Sequence, residues 1–598
     1  MNPLRLLFFP IVLLATTFVT SSGAGPNAAS ADQRPPNVLL ILTDDQGYGD
    51  LSLHGNDSLQ TPVLDRFATG GVRLDNFFVS AVCAPTRASL LTGRYHLRTG
   101  TFWVTRGTET MRSEEITLAE VFRENGYATG LFGKWHNGAH YPNDPLGQGF
   151  DHFTGFSAGH WNNYFDSPLF SDRREIRTKG YIADVLTDSA MAFMKTYRDR
   201  PFFCYVPLNT PHTPYQVPDR YFDKYKALGL DDERACAYAM VENIDDNVGR
   251  MLAQLESLQL RENTIVIFLT DNGPQTWRYN AGMKGKKAWV NDGGTRVPFF
   301  IQWGDRLPAG RIVRELTAHI DLLPTLVDLC GIQMPKTLPL DGVSMAALIR
   351  GKVDTLPARA LFTHYNHADA GIRTFPGAMR TREYRFVARS EEQIELTSMR
   401  GDPAESENLT AQFPEIVASM KAAYLAWFAD VTRVTLAVPP IPVGYPQIGQ
   451  MEIPAHEAFL SGEVHYKFSK NGYANDWIEG WRSPSDTLMW EVEAAGPVDY
   501  EIWIKYAAKE EDTGSLLRLQ AGTQVLISRI EKPFKPQVIV SPDRAIRTTE
   551  AYDQSWTTQK IGELHFDPGT YRLVLTAQEI PGSEVGEIKG LILKRKDG

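Results

Sequence analysis

Short apolar runs that end in polar residues alternate with longer amphipathic stretches over the first two-thirds of the chain. The runs NVLLILT at 37–43 and TIVIFLT at 264–270 are apolar on both faces, which predicts buried parallel strands. ADVLTDSAMAFMKTY at 183–197 and ACAYAMVENIDDNVGRMLAQLESL at 235–258 repeat their apolar residues with helical spacing. Strands that alternate with helices indicate an α/β fold with a mainly parallel sheet covered by helices on both faces.

The pattern changes near PPIPVGYP at 439–446. Beyond it come short alternating runs such as TLMWEVEA at 487–494 and TYRLVLTAQ at 570–578, separated by Gly, Pro, Asp and Ser. This pattern is typical of an antiparallel β-sandwich of the jelly-roll type. We therefore expect an α/β catalytic domain at 32–437 and a second, C-terminal β-sandwich domain at 438–598.

Residues 1–31 have the features of a cleaved export signal. Arg5 precedes a mostly apolar run from Leu6 to Val19, and small residues follow as far as Ala31. A membrane anchor would need a longer uninterrupted apolar span than this one. The sequence therefore predicts an exported protein, periplasmic or extracellular, without stable membrane insertion.

Length, charge and cysteine content exclude several classes of protein. A chain of 598 residues is too long for one hydrophobic core. Its formal net charge of −10 offers no basic excess to neutralise phosphates, so we expect no nucleic-acid partner. Four scattered cysteines are too few for a disulfide framework, so the folded state depends on packed cores.

Polar oxygen-bearing residues close the two most apolar strands. Asp44 and Asp45 follow the first predicted strand, and Asp271 and Asn272 follow the later one. In a parallel sheet these strand ends can converge into an oxygen-only cluster, the ligand set that Ca²⁺ and Mg²⁺ prefer. The alternative is that they are ordinary strand-to-loop turn residues.

The segment CAPTRASLLTGR at 83–94 is more specific. Pro85 is typical of a first helical turn, so Cys83 is predicted at a helix N-terminus, where the dipole and free amides favour anions. A plain buried cysteine and a low-pKa thiolate nucleophile are the other interpretations of Cys83. Neither explains why Arg87 should accompany it.

This segment resembles the motif C-x-P-x-R-x-x-x-x-T-G-R of the formylglycine-dependent type I sulfatases, in the alkaline phosphatase superfamily. Other motifs of that family stand in the same order along the chain: DDQGYGD at 44–50, GKWHNG at 133–138, PHTP at 211–214, DNG at 271–273, KKAWVNDGGTRVP at 286–298 and DPAESENL at 402–409. The resemblance runs from about Pro36 to Phe428. It implies an alkaline phosphatase-like fold and hydrolysis of sulfate esters.

The resemblance also implies roles for individual residues. The cysteine of the motif is oxidised to formylglycine in this family, which requires a formylglycine-generating or sulfatase-maturing enzyme as partner. The metal ligands implied are Asp44, Asp45, Asp271, Asn272 and an oxygen of modified residue 83. They would hold one Ca²⁺, with Mg²⁺ the less favoured ion.

The implied catalytic residues are Cys83, Arg87, Lys134, His136, His212 and Lys287. Arg87 and Lys134 would hold residue 83, and His136 would contact its second hydroxyl. His212 would protonate the departing alcohol, and a lysine of the KK pair would contact the sulfate. The spacing to Gly293 and Gly294 favours Lys287 over Lys286.

Two positions depart from the family pattern. Asp292 stands where Glu is usual, and Asn137 stands where Leu is usual after GKWH. We expect the shorter acid to affect supporting contacts rather than the reaction type. Asn137 contacts either the substrate or a loop amide.

The loop GHWNNYFD at 159–166 suggests the substrate class. Its aromatic and amide groups are those that commonly bind sugars, which favours a sulfated saccharide as substrate, with another sulfate ester as the alternative. The competing interpretation is a loop packed around Trp161 and Tyr164. Alternative functions are a phosphodiester or phosphonate monoester hydrolase of the same superfamily, and a non-catalytic glycan-binding protein on a sulfatase scaffold.

Overall fold

The structure of the protein is a computed structural model that describes residues 34–336, 338–367, 371–402, 404–434, 436–547 and 549–596. The predicted export signal at 1–31 lies outside the described residues. The strands, in chain order, are β1 (Asn37–Thr43), β2 (Val72–Leu74), β3 (Phe77–Phe78), β4 (Ala128–Lys134), β5 (His152–Phe156), β6 (Pro168–Ser171), β7 (Arg174–Arg177), β8 (Phe202–Pro207), β9 (Thr264–Thr270), β10 (Arg296–Val297), β11 (Phe299–Gln302), β12 (Arg311–Val313), β13 (Thr317–Ala318), β14 (Leu361–His364), β15 (Gly377–Arg380), β16 (Tyr384–Ala388), β17 (Ile394–Ser398), β18 (Ile441–Val443), β19 (Gln450–Pro454), β20 (Phe459–Ser461), β21 (His465–Tyr466), β22 (Ile478–Glu479), β23 (Thr487–Ala494), β24 (Val498–Ala507), β25 (Leu516–Ala521), β26 (Gln524–Arg529), β27 (Thr557–Phe566), β28 (Gly569–Glu579) and β29 (Glu587–Arg595).

Helices cover both stretches in which the sequence showed apolar residues with helical spacing, and they also lie elsewhere in the chain. They are α1 (Pro62–Thr69), α2 (Cys83–Thr92), α3 (Leu118–Glu124), α4 (Ile182–Thr196), α5 (Asp219–Lys226), α6 (Asp232–Ser257), α7 (Asp292–Thr295), α8 (Leu322–Cys330), α9 (Ala346–Ile349) and α10 (Pro414–Val431). A capping box, in which Thr117 and Glu120 exchange side-chain and backbone hydrogen bonds, begins α3. Within the described residues, no helix is long and apolar enough to span a bilayer.

A ten-stranded mixed sheet is the centre of the first part of the chain. Its strand order is β12-β2-β11-β9-β1-β8-β4-β5-β6-β7. The central run β9-β1-β8-β4-β5 is parallel, and β11, β6 and β7 pair antiparallel with their neighbours. Every residue of β1, β8 and β9 is buried, since apolar clusters with helices cover both faces of the sheet. The predicted α/β architecture is therefore confirmed.

Two smaller sheets extend this part of the chain. Strands β10, β3 and β13 form a three-stranded sheet beside α2. Strands β14 to β17 form an antiparallel sheet in sequential order, against which α10 packs. The antiparallel sheet β14–β17 was not predicted from the sequence.

Residues 441–595, called the C-terminal sandwich below, form two largely antiparallel sheets over one apolar core. One sheet follows the order β18-β23-β28-β25-β26 and the other β21-β22-β29-β24-β27. Trp477, Trp481 and Trp490 are buried, so packing rather than ligand binding accounts for these aromatic rings. The described residues from Pro35 onward form one compact unit, which places the sandwich against the α/β part.

Candidate active site

The carboxyl ends of β1 and β9 bring four predicted ligands together. The two strands are parallel neighbours with Thr43 opposite Thr270, so the polar residues that follow each strand meet at one edge of the sheet. The backbone N–H of Asp45 donates to Asp271 Oδ1 at 3.2 Å, and Asn272 Nδ2 donates to Asp45 Oδ1 at 2.7 Å. Both strand ends thus contribute to one buried cluster.

Cys83 lies at this cluster because α2 begins there. The nearest ligand atoms of Asp44, Cys83 and Asp271 all lie within 4.8 Å of one another. Burial raises the pKa of the Cys83 thiol, and Lys134 and Lys287 only partly offset this effect. Burial therefore disfavours the thiolate form of Cys83. All four cysteines of the chain are free.

Arg87 and Lys134 join the carboxylates to the framework of the site. The guanidinium of Arg87, one turn after Cys83 on α2, donates to Asp271 Oδ2 at 2.8 Å and to the Lys134 carbonyl at 2.8 Å. Lys134 ends β4, and its Nζ donates to Asp44 Oδ2 at 2.5 Å. Because these charges are buried, each ion pair must balance the desolvation cost of its partners.

The two lysines of the KK pair, Lys286 and Lys287, have different hydrogen-bond partners. Lys287 Nζ donates to Asp45 Oδ2 at 2.9 Å, so it lies at the cluster. Lys286 Nζ donates to the Gln275 carbonyl at 2.8 Å instead. The structure therefore brings Lys287, and not Lys286, to the predicted site.

Within the part of the chain that the structure describes, two oxygens of the cluster have no hydrogen-bond partner, and the pKa values of two of its carboxylates are shifted in opposite directions. Burial disfavours ionisation of Asp44, but Lys134 and other cations outweigh it and hold its pKa well below the usual range. Burial and the Asp44 carboxylate raise the pKa of Asp271. Among the described residues, Asp44 Oδ1 and Asn272 Oδ1 are buried without a hydrogen-bond partner. These two oxygens and the raised pKa of Asp271 fit a set of oxygen donors that would hold a hard cation.

His136 lies in the same buried region with a defined tautomer. Its Nε2 donates to the Val104 carbonyl at 2.8 Å, which leaves Nδ1 as an acceptor without a partner in the described residues. Burial and the Lys134 charge hold the His136 pKa well below its ordinary value. A Cβ on Gly159 would lie 1.9 Å from His136 Nε2, so only glycine allows this approach. The backbone of His136 has a φ of 66°, the kind of strain that concentrates at functional sites.

His212 faces the cluster from the loop after β8. Its Nδ1 donates to the Thr213 carbonyl at 2.7 Å, and its Nε2 lies 3.6 Å from Asp45 Oδ2. Tyr164 supports this loop, because its hydroxyl donates to the carbonyls of His212 at 3.1 Å and Thr213 at 2.7 Å. The predicted catalytic and ligand residues thus lie in one region, and all of them except the half-buried Lys287 are buried.

Two further groups at the site were not among the predicted residues. The His160 ring centroid lies 5.1 Å from that of His212 and 6.1 Å from that of His136. Glu550 of the C-terminal sandwich lies 3.1 Å from His160 Nδ1 through its Oε1. His160 lies in the loop GHWNNYFD, between the family motifs GKWHNG and PHTP. This position was the only feature of the sequence that pointed to it. Glu550 stands in no motif, so no sequence signal pointed to it.

The two departures from the family pattern have structural explanations. Asn137 is fully buried, and its Nδ2 donates to the Ala84 carbonyl at 3.1 Å, so it contacts a backbone group of α2. Asp292 pairs with the buried Arg385, which also donates to the Val290 carbonyl. Asp292 is thus linked through Arg385 to the loop that carries Lys287.

The loop GHWNNYFD has both packing and surface roles. Tyr164 is buried, whereas Trp161 and Asn162 line a cleft of about 630 Å³ between this loop and the C-terminal sandwich. The same cleft is lined by Tyr445 and Trp556 from the sandwich side. The six predicted catalytic residues do not line it, but Ser157 does, and its carbonyl accepts the backbone N–H of His136. The cleft thus adjoins the catalytic cluster.

Comparisons with known proteins agree on one family. A family model described as sulfatase matches residues 36–332, and one described as N-sulphoglucosamine sulphohydrolase, C-terminal, matches residues 284–426. N-acetylgalactosamine-6-sulfatase of Canis lupus familiaris is 32% identical over 373 residues, which cover 56% of this chain and 70% of that protein. Arylsulfatase A of Homo sapiens is 32% identical over 437 residues, covering 65% of this chain and 82% of that protein. The crystal structure of Ps i-CgsB in complex with k-i-k-neocarrahexaose has a TM-score of 0.63 and 26% identity, covering 68% of this chain and 95% of that one.

Proposed function

This chain belongs to the type I sulfatases of the alkaline phosphatase superfamily and is a sulfuric ester hydrolase, and from that premise we propose that it desulfates a carbohydrate through a formylglycine at position 83. One observation carries the proposal. The ligand atoms of Asp44, Cys83 and Asp271 lie within 4.8 Å of one another beside three cationic side chains. That arrangement suits a nucleophile that attacks an anionic ester, because cations stabilise the charge on the sulfate oxygens.

In the proposed first step, one hydroxyl of the hydrated formylglycine releases its proton to solvent and attacks sulfur through its oxygen, and the bond from sulfur to the alcohol oxygen breaks. Lys134 and Lys287 face the sulfate, while Arg87 holds the Lys134 carbonyl and Asp271 in place. His212 gives its Nε2 proton to the departing oxygen as general acid. The orientation of His212 supports this role, since Nδ1 is bound to the Thr213 carbonyl and Nε2 faces the cluster.

In the proposed second step, His136 removes the proton of the second hydroxyl. The carbon–oxygen bond to sulfate then breaks, sulfate departs, and the aldehyde is restored. The neutral state of His136 and its unpartnered Nδ1 support its role as a base. A maturing enzyme is required beforehand, because Cys83 must be oxidised to the aldehyde. We further propose that the chain is exported and that residues 32–437 and 438–598 are its two domains.

The donor set supports one divalent cation, and we propose Ca²⁺ over Mg²⁺. Asp44, Asp45, Asp271 and Asn272 would hold it together with an oxygen of the modified residue 83. All of these donors are oxygens, which hard cations prefer. The ion would supply positive charge that stabilises negative charge on the attacking and sulfate oxygens.

Chelation should remove both activity and stability. We expect a chelator to lower kcat/KM at least about 100-fold, because charge stabilisation by the ion is lost. Ca²⁺ at about 100 times its Kd should restore about 2.7 kcal/mol to the free energy of unfolding. Thermal unfolding with and without Ca²⁺ measures the second effect independently of turnover.

Asp44→Asn should abolish this Ca²⁺ stabilisation. Asp65→Asn is a matched control. The Asp65 carboxylate accepts a hydrogen bond of 2.7 Å from the Ser52 hydroxyl and is not one of the proposed metal ligands. An Asp44→Asn protein stabilised by Ca²⁺ as strongly as the unmodified protein would contradict the proposed site.

The cleft beside the catalytic cluster supports a carbohydrate substrate. Its aromatic lining includes Trp161, stacked on Phe156 with centroids 4.9 Å apart. Several of its charged side chains are already paired, such as Lys505 with Glu452 at 2.9 Å. Beside its charged side chains, the cleft therefore offers aromatic faces and amides to a ligand, which are the groups that bind sugar ring faces and hydroxyls. The similar structure of Ps i-CgsB is a complex with k-i-k-neocarrahexaose, which supports this substrate class.

Trp161→Ala should weaken binding of sulfated oligosaccharides selectively. We expect KM for such a substrate to rise about tenfold, equivalent to about 1.4 kcal/mol, because an aromatic contact is removed. Hydrolysis of 4-nitrophenyl sulfate should change less than about twofold, since this small ester does not reach the cleft. Steady-state kinetics across a panel of sulfated saccharides and this aryl ester gives both values.

Trp503→Ala is the matched control for that experiment. Trp503 is a half-exposed tryptophan of β24 whose ring contacts Lys594 at 4.1 Å, and it is not among the residues that line the cleft. Activity confined to aryl sulfates would remove the carbohydrate proposal. Hydrolysis of a phosphate diester or phosphonate monoester in preference to every sulfate ester would favour the alternative hydrolase function.

A further inference from the structure

One segment of the C-terminal sandwich reaches the catalytic histidines. Residues 541–547 lie on the loop that follows β8: the Arg544 N–H donates to the Tyr215 carbonyl at 2.8 Å, and Gln216 Nε2 donates to Asp543 Oδ1 at 2.7 Å. Glu550 follows and is fully buried. Both family models end by residue 426, so this contact comes from a part of the chain that neither model covers.

Glu550 holds His160 beside His212. Glu550 Oε1 accepts the His160 Nδ1–H at 3.1 Å and lies 3.7 Å from His212 Nδ1. Glu550 Oε2 accepts the Thr549 hydroxyl at 2.7 Å. Both carboxylate oxygens are therefore fixed, and the charge lies next to the histidine pair.

The C-terminal sandwich holds His160 at two further points. Asn475 Nδ2 donates to the His160 carbonyl at 2.8 Å, and the Tyr473 ring lies 4.6 Å from the His160 ring. The His160 ring meets the His212 ring nearly edge-on, at 71°. A histidine gripped in this way limits the rotation of the ring that it packs against.

The charge state of the group is consistent with this arrangement. Burial raises the pKa of Glu550, but the hydrogen bond from His160 and the charge of His212 outweigh it, so the carboxylate stays ionised. Burial lowers the pKa of His160 to about 4, so this ring is a neutral donor. A buried carboxylate is retained only where its partners are well placed.

We propose that Glu550 is a positioning residue of the active site, which through His160 orients His212 toward the leaving oxygen, so that the C-terminal sandwich completes the catalytic site of the same chain. This inference rests on the proposed role of His212 as general acid. It assigns the sandwich a part in catalysis that sugar binding alone would not require.

The test compares two leaving groups in the full-length, matured enzyme. A nitrophenolate leaves without a proton, whereas a sugar alkoxide needs one. A misplaced general acid therefore slows the hydrolysis of the sugar ester only. In Glu550→Gln, which keeps the size of the side chain, kcat/KM should fall about 30-fold on a sulfated saccharide and less than about threefold on 4-nitrophenyl sulfate. Glu550→Asp keeps the charge, so its kcat/KM on the sulfated saccharide should lie between those of the unmodified enzyme and Glu550→Gln. This variant remains informative if the glutamine variant does not fold.

Asp543→Asn is the matched control. Its carboxylate bonds to Gln216 and Arg547 in the same segment and does not touch the histidines. We expect it to lower thermal stability and to affect both substrates equally. If Glu550→Gln also affects both substrates equally, or neither, Glu550 has no positioning role.

His212→Asn separates this inference from the proposed function. If His212→Asn lowers kcat/KM much more on the sulfated saccharide than on 4-nitrophenyl sulfate, and Glu550→Gln lowers both equally, only the positioning role of Glu550 is wrong. If His212→Asn also lowers kcat/KM equally on both substrates, His212 is not the general acid, and the positioning role of Glu550 is wrong as well.

Discussion

Cys83→Ser should give a folded protein that releases at most one equivalent of alcohol per active site. Serine is close to cysteine in size, so the buried start of α2 and its contacts are preserved. A single serine hydroxyl can attack sulfur but has no second hydroxyl with which to expel the sulfate. We expect steady-state turnover to fall at least about 1,000-fold, because the covalent intermediate persists. Burst kinetics of product release, with mass analysis of the peptide around residue 83, measures this.

Cys236→Ser is the control for that variant. Cys236 is a buried free cysteine on α6, outside the cluster, so its replacement should leave turnover within about twofold. Sustained turnover by Cys83→Ser would show that the reaction does not need the paired hydroxyls, and the proposed mechanism would be wrong. Mass analysis of the unmodified sequence, coproduced with a maturing enzyme, should show formylglycine at position 83.

The fold could be predicted from the sequence wherever the signal was local. Buried runs such as NVLLILT and TIVIFLT are apolar on both faces, and both became central strands of the sheet. The strands β23 and β24 show the alternation of buried and exposed positions expected of the sandwich. The sheet β14–β17 was missed, because its strands have four or five residues and little alternation.

The residues of the candidate site also differ in whether the sequence could predict them. Asp44 and Asp271 end strands that are adjacent in the sheet, so the convergence of their side chains follows from the topology that the pattern predicted. Glu550 reaches His160 across 390 positions of sequence, and neither its neighbours nor its spacing indicates a site. Only the packing of the C-terminal sandwich against the α/β part creates that contact.

Arg87→Met should cause one of the largest stability losses available in this chain. The Arg87 side chain is fully buried and pairs with Asp271 at 2.8 Å, while Asp44 lies 3.7 Å away. Methionine fills the space but leaves a buried carboxylate without its partner. In the presence of a chelator we expect the free energy of unfolding to fall by about 3–5 kcal/mol. Urea denaturation followed by tryptophan fluorescence measures the change.

Ca²⁺ should return part of that loss, since a cation bound at the same carboxylates replaces some of the missing positive charge. Arg250→Met provides the contrast: Arg250 pairs with Asp188 at an exposed position, and such pairs contribute about 1 kcal/mol or less. If Arg87→Met cost no more than Arg250→Met, Asp271 would have to be uncharged in the folded protein. An uncharged Asp271 could not serve as an anionic ligand, and the electrostatic basis of the proposed metal site would be lost.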